Sequence, residues 1–109
     1  MRAVCAPPSL MDRSLLPFFR PRCVIVAGVS RDPTKLGFAL ARNLAESGYP
    51  GEIHFVNPRG GRLLERPVHQ DFSTVPAGAD LAVLLIPAPA VPDELRACGR
   101  LGVRAAIVL

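Results

Sequence analysis

The chain has 109 residues, the length of one domain, and half of its residues are hydrophobic whereas 20% are charged. This composition excludes intrinsic disorder, because so much apolar surface can form a packed core. The net charge of +4 suits a phosphate-bearing ligand. With only six aromatic residues and no basic run interleaved with them, the sequence does not predict nucleic-acid binding.

Membrane insertion and secretion are also not predicted. The longest apolar stretch, 81–92, contains three prolines and is shorter than the roughly 20 residues that cross a bilayer. The N-terminus lacks the apolar run of about 7–15 residues found in secretory signals. Three widely spaced cysteines form neither a disulfide framework nor a paired-cysteine metal site. We therefore predict a cytoplasmic protein with free thiols and no metal site.

The first half of the chain predicts a strand, a helix and a second strand after a loose N-terminal tail. Residues 1–13 show no periodicity, so we place the domain at 14–109, beginning with an apolar patch at Leu15–Phe19. Cys23–Ala27 is a continuous apolar run, typical of a strand buried on both faces. Apolar residues at helical spacing predict a helix over 35–47, and Ile53–Val56 predicts the second strand.

The second half repeats this alternation. Residues 63–80 are the least regular part, with a short strand expected at Pro67–Val68 and one helical turn at 71–75. Leu81–Ile86 predicts a buried strand beside the first, residues 90–101 a helix, and Val103–Leu109 a last strand. Strands alternating with helices predict an α/β, Rossmann-like open parallel sheet with helices on both faces. Because the sequence stops inside a strand, we expect the domain to be truncated there.

The loop between the first strand and the helix, 28–37, predicts a phosphate site. Small residues let the backbone approach a diphosphate, and the helix N-terminus adds unpaired N–H groups and partial positive charge. Ser30 stands where GxGxxG has its second glycine, and the P-loop spacing is also absent, so standard dinucleotide and P-loop sites are disfavoured. An unoccupied strand-to-helix turn remains the alternative interpretation of this loop.

The end of the second strand carries Asn57, Pro58 and Arg59, with no carboxylate. A carboxylate there would hold the ribose hydroxyls of NAD, whereas a cation suits a phosphorylated ribose. Arg59 therefore favours NADP or the 3′-phosphorylated ADP of coenzyme A (CoA). Parallel strands present their loops at one edge, so we expect Arg31, Lys35, Arg59 and Arg62 to lie close together.

Several segments together resemble the N-terminal CoA-binding domain of the NDP-forming acyl-CoA synthetases. This domain also occurs in the succinyl-CoA ligase α subunit and in synthetase-like protein lysine acetyltransferases. The resemblance covers about 14–109, although this family more often has Lys at position 59 and Ser or Ala at position 23. The segments that carry it are PRCVIVAGVSRDP at 21–33, KLG at 35–37, VNPRGG at 56–61, DLAV at 80–83, IPA at 86–88, CG at 98–99 and LGV at 101–103.

The resemblance implies that CoA or acyl-CoA lies across the carboxyl ends of the strands. One group of residues would face the diphosphate, a second the adenosine phosphate, and a third the adenine or pantetheine. In that order, the groups are Gly28, Ser30, Arg31, Lys35 and Gly37; Asn57, Pro58 and Arg59; and Ile86, Pro87 and Ala88.

The resemblance also places the catalytic steps outside this chain. In the family, the phosphohistidine and the ATP-grasp part belong to other domains or subunits, which are the implied partners. His54 and His69 do not match that phosphohistidine, and no catalytic set of residues can be assembled from the sequence. We therefore expect no catalysis by this chain alone. A free-standing CoA-sensing module and a fragment of an NADP-binding oxidoreductase remain the alternatives.

Overall fold

A computed structural model describes residues 20–109. The predicted tail and the apolar patch at 15–19 lie outside these residues. None of the described helices is long and apolar enough to cross a membrane. The strands are β1 (Cys23–Ala27), β2 (Glu52–Val56), β3 (Arg62–Leu63), β4 (Arg66–His69), β5 (Leu81–Leu84) and β6 (Ala105–Val108), and the helices are α1 (Leu36–Glu46) and α2 (Val91–Arg100).

The six strands form one sheet in the order β3-β4-β2-β1-β5-β6. All neighbours are parallel except β3 and β4. β5 pairs with β1 as predicted, and β2 pairs with β1 on its other side. The strand order extends to one side of β1 and then reverses to the other, which is the arrangement of doubly wound sheets. The Rossmann-like α/β fold class is therefore confirmed, with a short antiparallel strand added at one edge.

The core consists of two clusters, one on each face of the sheet. On one face, Val24 and Val26 pack with Phe55 beneath α1. On the other, Ile25 and Leu84 pack with Cys98 of α2. Every residue of β1 is buried, because alternate side chains enter opposite clusters. Helices thus cover both faces, as the continuous apolar runs predicted.

Element boundaries differ from the predictions in several places. β5 ends at Leu84 rather than Ile86, because the chain leaves the sheet after the Leu85 N–H donates to the Ala27 carbonyl at 2.9 Å. β6 is shorter than the predicted 103–109. The strand expected at Pro67–Val68 is the middle of β4, and the expected helical turn is a 3₁₀ turn over Phe72–Thr74.

The β3–β4 hairpin was not predicted from the sequence. Its two connecting residues, Leu64 and Glu65, both have positive φ values, 51° and 64°. Two-residue hairpin turns with this backbone are usually marked by Asn-Gly or Asp-Gly. Leu-Glu carries no such signal, and the two-residue β3 is too short to show a period.

Candidate functional site

The loops that follow β1 and β2 meet at the carboxyl edge of the sheet. Gly28 lies where they converge: its N–H donates to the Val56 carbonyl at 3.0 Å, and its φ is +91°. A Cβ atom at this position would lie 1.9 Å from the Leu85 carbonyl oxygen. Only glycine fits here, between the end of β2 and the residue that follows β5, so Gly28 shapes the site through its backbone.

The N-terminus of α1 is held against this loop by a second close approach. A Cβ atom at Gly37 would lie 2.3 Å from the Gly28 carbonyl oxygen and 3.2 Å from the Ser30 nitrogen. Lys35 is the N-cap residue, no side chain caps the helix, and its first turn contains no acidic residue. The partial positive charge of the helix N-terminus is therefore not neutralised by its own first turn.

Hydrogen bonds within the loop fix the backbone between Ser30 and α1. The Ser30 hydroxyl accepts from the Asp32 N–H at 3.0 Å. Oδ1 of Asp32 accepts from the Thr34 N–H at 2.9 Å and from the Thr34 hydroxyl at 2.7 Å. These bonds hold the pKa of Asp32 below its ordinary value. Asp32 is therefore a charged carboxylate at neutral pH, and both of the Thr34 donors bond to its Oδ1 atom.

Asn57 ties the second loop to the first. Its Nδ2 donates to the Val29 carbonyl at 2.5 Å, and its Oδ1 accepts from the Arg59 N–H at 2.7 Å. The side chain was expected to face the adenosine phosphate, and it lines the cavity between the two loops. Its amide also bonds to backbone on both sides, which makes it a positioning residue for both loops.

Arg31 makes a second connection between the two loops. Its Nη1 donates to the Gly60 carbonyl at 2.7 Å and to the Arg62 carbonyl at 3.2 Å. Gly61 lies against the same guanidinium, since a Cβ atom there would be 3.1 Å from Nη1. Arg31 thus uses its Nη1 atom to position the 59–62 loop.

The two loops enclose a cavity of about 300 Å³. Three basic groups and one carboxylate face it, so its net charge is positive. Within residues 20–109, the charged groups of Lys35 and Arg59 form no hydrogen bond or ion pair. They are therefore available to an anionic ligand. The lining residues are Ser30, Arg31, Asp32, Lys35, Asn57 and Arg59.

The other expected site residues have different positions. Gly28 and Gly37 shape the backbone next to the cavity, and Pro58 is exposed in the loop after β2. Ile86, Pro87 and Ala88 follow β5 and do not line the cavity. Ile86 packs against the core, whereas Pro87 and Ala88 are exposed at the start of a 3₁₀ turn.

Two larger cavities suit phosphates less well. One of about 400 Å³ contains Asp71, Asp93 and Glu94 beside Arg100. Burial, together with the charges of Asp93 and Asp71, raises the pKa of Glu94, so its surroundings disfavour a further negative charge. The other, of about 440 Å³, is mainly apolar and lies between α1 and the sheet. The cavity between the loops is therefore the candidate phosphate site.

The histidines and the two described cysteines lie away from this cavity. His54 is in β2 and His69 ends β4, with their ring centroids 5.7 Å apart. Burial, and secondarily His54, lowers the pKa of His69, whose Nδ1 lies 2.7 Å from the Thr74 hydroxyl. Cys23 and Cys98 are buried free thiols, as predicted, and burial is the main reason that the pKa of each is raised.

Replacing Arg31 by lysine is expected to loosen the loop after β2. Lysine keeps the positive charge, but its ammonium group ends one bond short of the Nη1 atom that donates to both carbonyls. We expect faster amide hydrogen exchange at Gly60 and Val68, whose N–H groups donate to the Asn57 and Gly61 carbonyls, with an opening free energy lower by about 1 kcal/mol. Arg42→Lys, on the exposed part of α1, is the control. Unchanged exchange at both amides would show that Arg31 does not hold this loop.

Sequence and structure comparisons identify relatives among acetate–CoA ligases. The chain is 39% identical over 95 residues to "Acetate--CoA ligase [ADP-forming] I subunit alpha" of Pyrococcus furiosus, covering 84% of this chain and 21% of that protein. It is 33% identical over 102 residues to "Acetate--CoA ligase [ADP-forming] II" of Archaeoglobus fulgidus, covering 94% and 14% respectively. The chain therefore spans about a fifth or less of the length of these relatives.

A solved structure shares the fold. It is the apo form of dinucleotide forming acetyl-coenzyme A synthetase 1 from Ca. Korarchaeum cryptofilum. The TM-score is 0.79 at 34% identity, over 84% of this chain and 20% of that one. Residues 22–109 also match the family described as "CoA binding domain". Because this match covers most of the chain, the protein belongs to the CoA-binding domain family and is homologous to the N-terminal part of ADP-forming acetyl-CoA synthetases.

Proposed function

We propose that this chain binds CoA or acyl-CoA for an NDP-forming acyl-CoA synthetase whose catalytic steps occur in other domains or subunits. The observation that carries the proposal is the cavity in which Lys35 and Arg59 lie beside the N-terminus of α1. CoA bears a diphosphate and a separate 3′-phosphate, so two cations on different loops suit its charge pattern. The ligase names of the longer relatives support the same assignment.

Each loop has its own part in this proposal. Lys35, the Ser30 loop and the helix N-terminus bind the diphosphate, through a positive charge and backbone N–H groups. Arg59 binds the 3′-phosphate, for which a guanidinium offers two parallel donors. Arg31 and Asn57 hold the two loops at the required separation.

Ile86, Pro87 and Ala88 complete the proposed site on the other side of β1. β5 ends beside β1, and the strand order reverses between these two strands. In open α/β sheets, ligands bind in the crevice at such a reversal. We assign the adenine or pantetheine to this apolar segment, in which Pro87 and Ala88 are exposed and Ile86 is half-buried, since neither group carries a phosphate charge.

Calorimetry with CoA, dephospho-CoA and NADPH tests the proposal. We expect CoA to bind and dephospho-CoA to bind about 5- to 150-fold more weakly, as a charged contact of 1–3 kcal/mol implies. NADPH is expected to bind more weakly than CoA, because Ser30 replaces the glycine that a dinucleotide fingerprint requires. Tighter binding of NADPH than of CoA, or no binding of CoA, would contradict the proposal.

A further inference from the structure

The amino ends of β1 and β2 bring together three side chains that can bind a metal ion. Cys23 pairs with Glu52, and Ile25 pairs with His54, in parallel register. Cys23, Glu52 and His54 therefore project from the same face of the sheet. The Sγ atom of Cys23, a carboxylate oxygen of Glu52 and a ring nitrogen of His54 all lie within 4.8 Å of one another.

We propose that Cys23, Glu52 and His54 form a binding site for one divalent cation of the Zn²⁺ type. Thiolate, imidazole and carboxylate are the three ligand types that zinc takes from proteins. Three protein ligands and one water complete a tetrahedral coordination shell. The two anionic ligands balance the charge of the ion, so the site needs no further counter-charge.

The three ligands differ in exposure, and the exposed Glu52 side chain has room to adjust to an ion. Cys23 is 7% exposed and is fixed in the core, and 18% of the His54 side chain is exposed. Glu52 is 77% exposed, and its Oε1 already lies 3.3 Å from Nε2 of His54. Zinc–ligand bonds of about 2.0–2.3 Å require ligand atoms roughly 3.5 Å apart in a tetrahedron. The Glu52–His54 distance of 3.3 Å already meets this requirement, and the distances to the Cys23 Sγ atom, at most 4.8 Å, must shorten when an ion binds.

The proposed metal site is separate from the CoA cavity. Cys23 begins β1, whereas Gly28 follows its end. Four strand steps of about 3.3 Å separate Cys23 from Ala27, or roughly 13 Å. A metal ion at this site would join β1 to β2 at the end of the sheet opposite the phosphate-binding loops. Its presence therefore does not depend on the proposed binding of CoA.

Cobalt titration of the full, tag-free chain tests the proposal. Co²⁺ substitutes for Zn²⁺ and absorbs in the near ultraviolet when a thiolate binds it. The parent chain and every variant should carry Cys5→Ser, because Cys5 is a third thiol outside the described residues. We expect one equivalent of Co²⁺ to produce the thiolate absorption and one equivalent of Zn²⁺ to remove it. Bound metal is first stripped with a chelator, which is then removed before cobalt is added. The titration is read by absorbance, so it needs no enzymatic activity.

Substitutions identify the ligands. Cys23→Ser should abolish the thiolate absorption, and His54→Gln or Glu52→Gln should weaken Co²⁺ binding at least tenfold. Cys98→Ser is the matched control, since it removes another buried thiol, and should leave the absorption unchanged. Glu52→Gln alters an exposed side chain and keeps the test valid if Cys23→Ser fails to fold. Absence of the absorption in the parent chain, its persistence in Cys23→Ser, or unchanged affinity in Glu52→Gln would overturn the proposal.

Discussion

Replacing Gly28 by alanine is expected to lower the free energy of unfolding by about 2–5 kcal/mol. A positive φ costs a non-glycine residue about 1–2 kcal/mol, and here φ is +91°. The added Cβ atom would also lie 1.9 Å from the Leu85 carbonyl oxygen, so the backbone of β1 or β5 must shift. Displacing well-packed groups adds about 1–3 kcal/mol. Urea denaturation measures the change.

Gly78→Ala separates the two contributions to this loss. Gly78 also has a positive φ, +114°, but nothing lies within 4 Å of its added Cβ atom. We therefore expect this variant to lose only the conformational part, about 1–2 kcal/mol. Equal destabilisation by the two substitutions would show that the close approach of Gly28 to Leu85 has no energetic consequence.

Arg59→Ala is expected to weaken CoA binding by about 1–3 kcal/mol while changing dephospho-CoA binding little. The reason is that Arg59 is proposed to bind the 3′-phosphate, which dephospho-CoA lacks. Lys35→Ala should weaken both ligands, because both retain the diphosphate. Calorimetry of each variant with each ligand provides the comparison.

Arg62→Ala is the matched control for Arg59→Ala. Arg62 lies three residues further along, and its Nη2 donates to the Glu65 carbonyl at 2.6 Å rather than lining the cavity. We expect Arg62→Ala to leave the ratio of the two affinities unchanged. Equal weakening of CoA and dephospho-CoA in Arg59→Ala would remove the role assigned to Arg59.

The elements predicted from the sequence are those with the strongest burial patterns. β1 and β5 have continuous apolar runs because both of their faces contact a core cluster. The two helices follow from apolar spacing together with stop signals such as Gly48 and Pro50. The β3–β4 hairpin was missed because its turn at Leu64 and Glu65 lacks the usual residues for positive φ.

The meeting of the two loops was predictable, whereas the parts played by several side chains were not. Parallel strands place Ser30 and Arg59 at one edge, and both line the same cavity. The hydrogen bonds of Arg31 and Asn57 to the opposite loop depend on backbone positions that residue type alone does not specify. The proximity of Cys23 to His54 likewise depends on the register between β1 and β2, which is not visible in their sequence separation.

Amide chemical-shift mapping of the isotope-labelled chain with CoA tests the central claim, that the ligand lies between the loops after β1 and β2. The largest shifts are expected at Ser30, Lys35 and Arg59. Because dephospho-CoA lacks the 3′-phosphate, it should reproduce the shifts near Lys35 and lose those near Arg59. Shifts confined to the acidic cavity at Asp71 and Glu94, with none at the loops, would contradict the account.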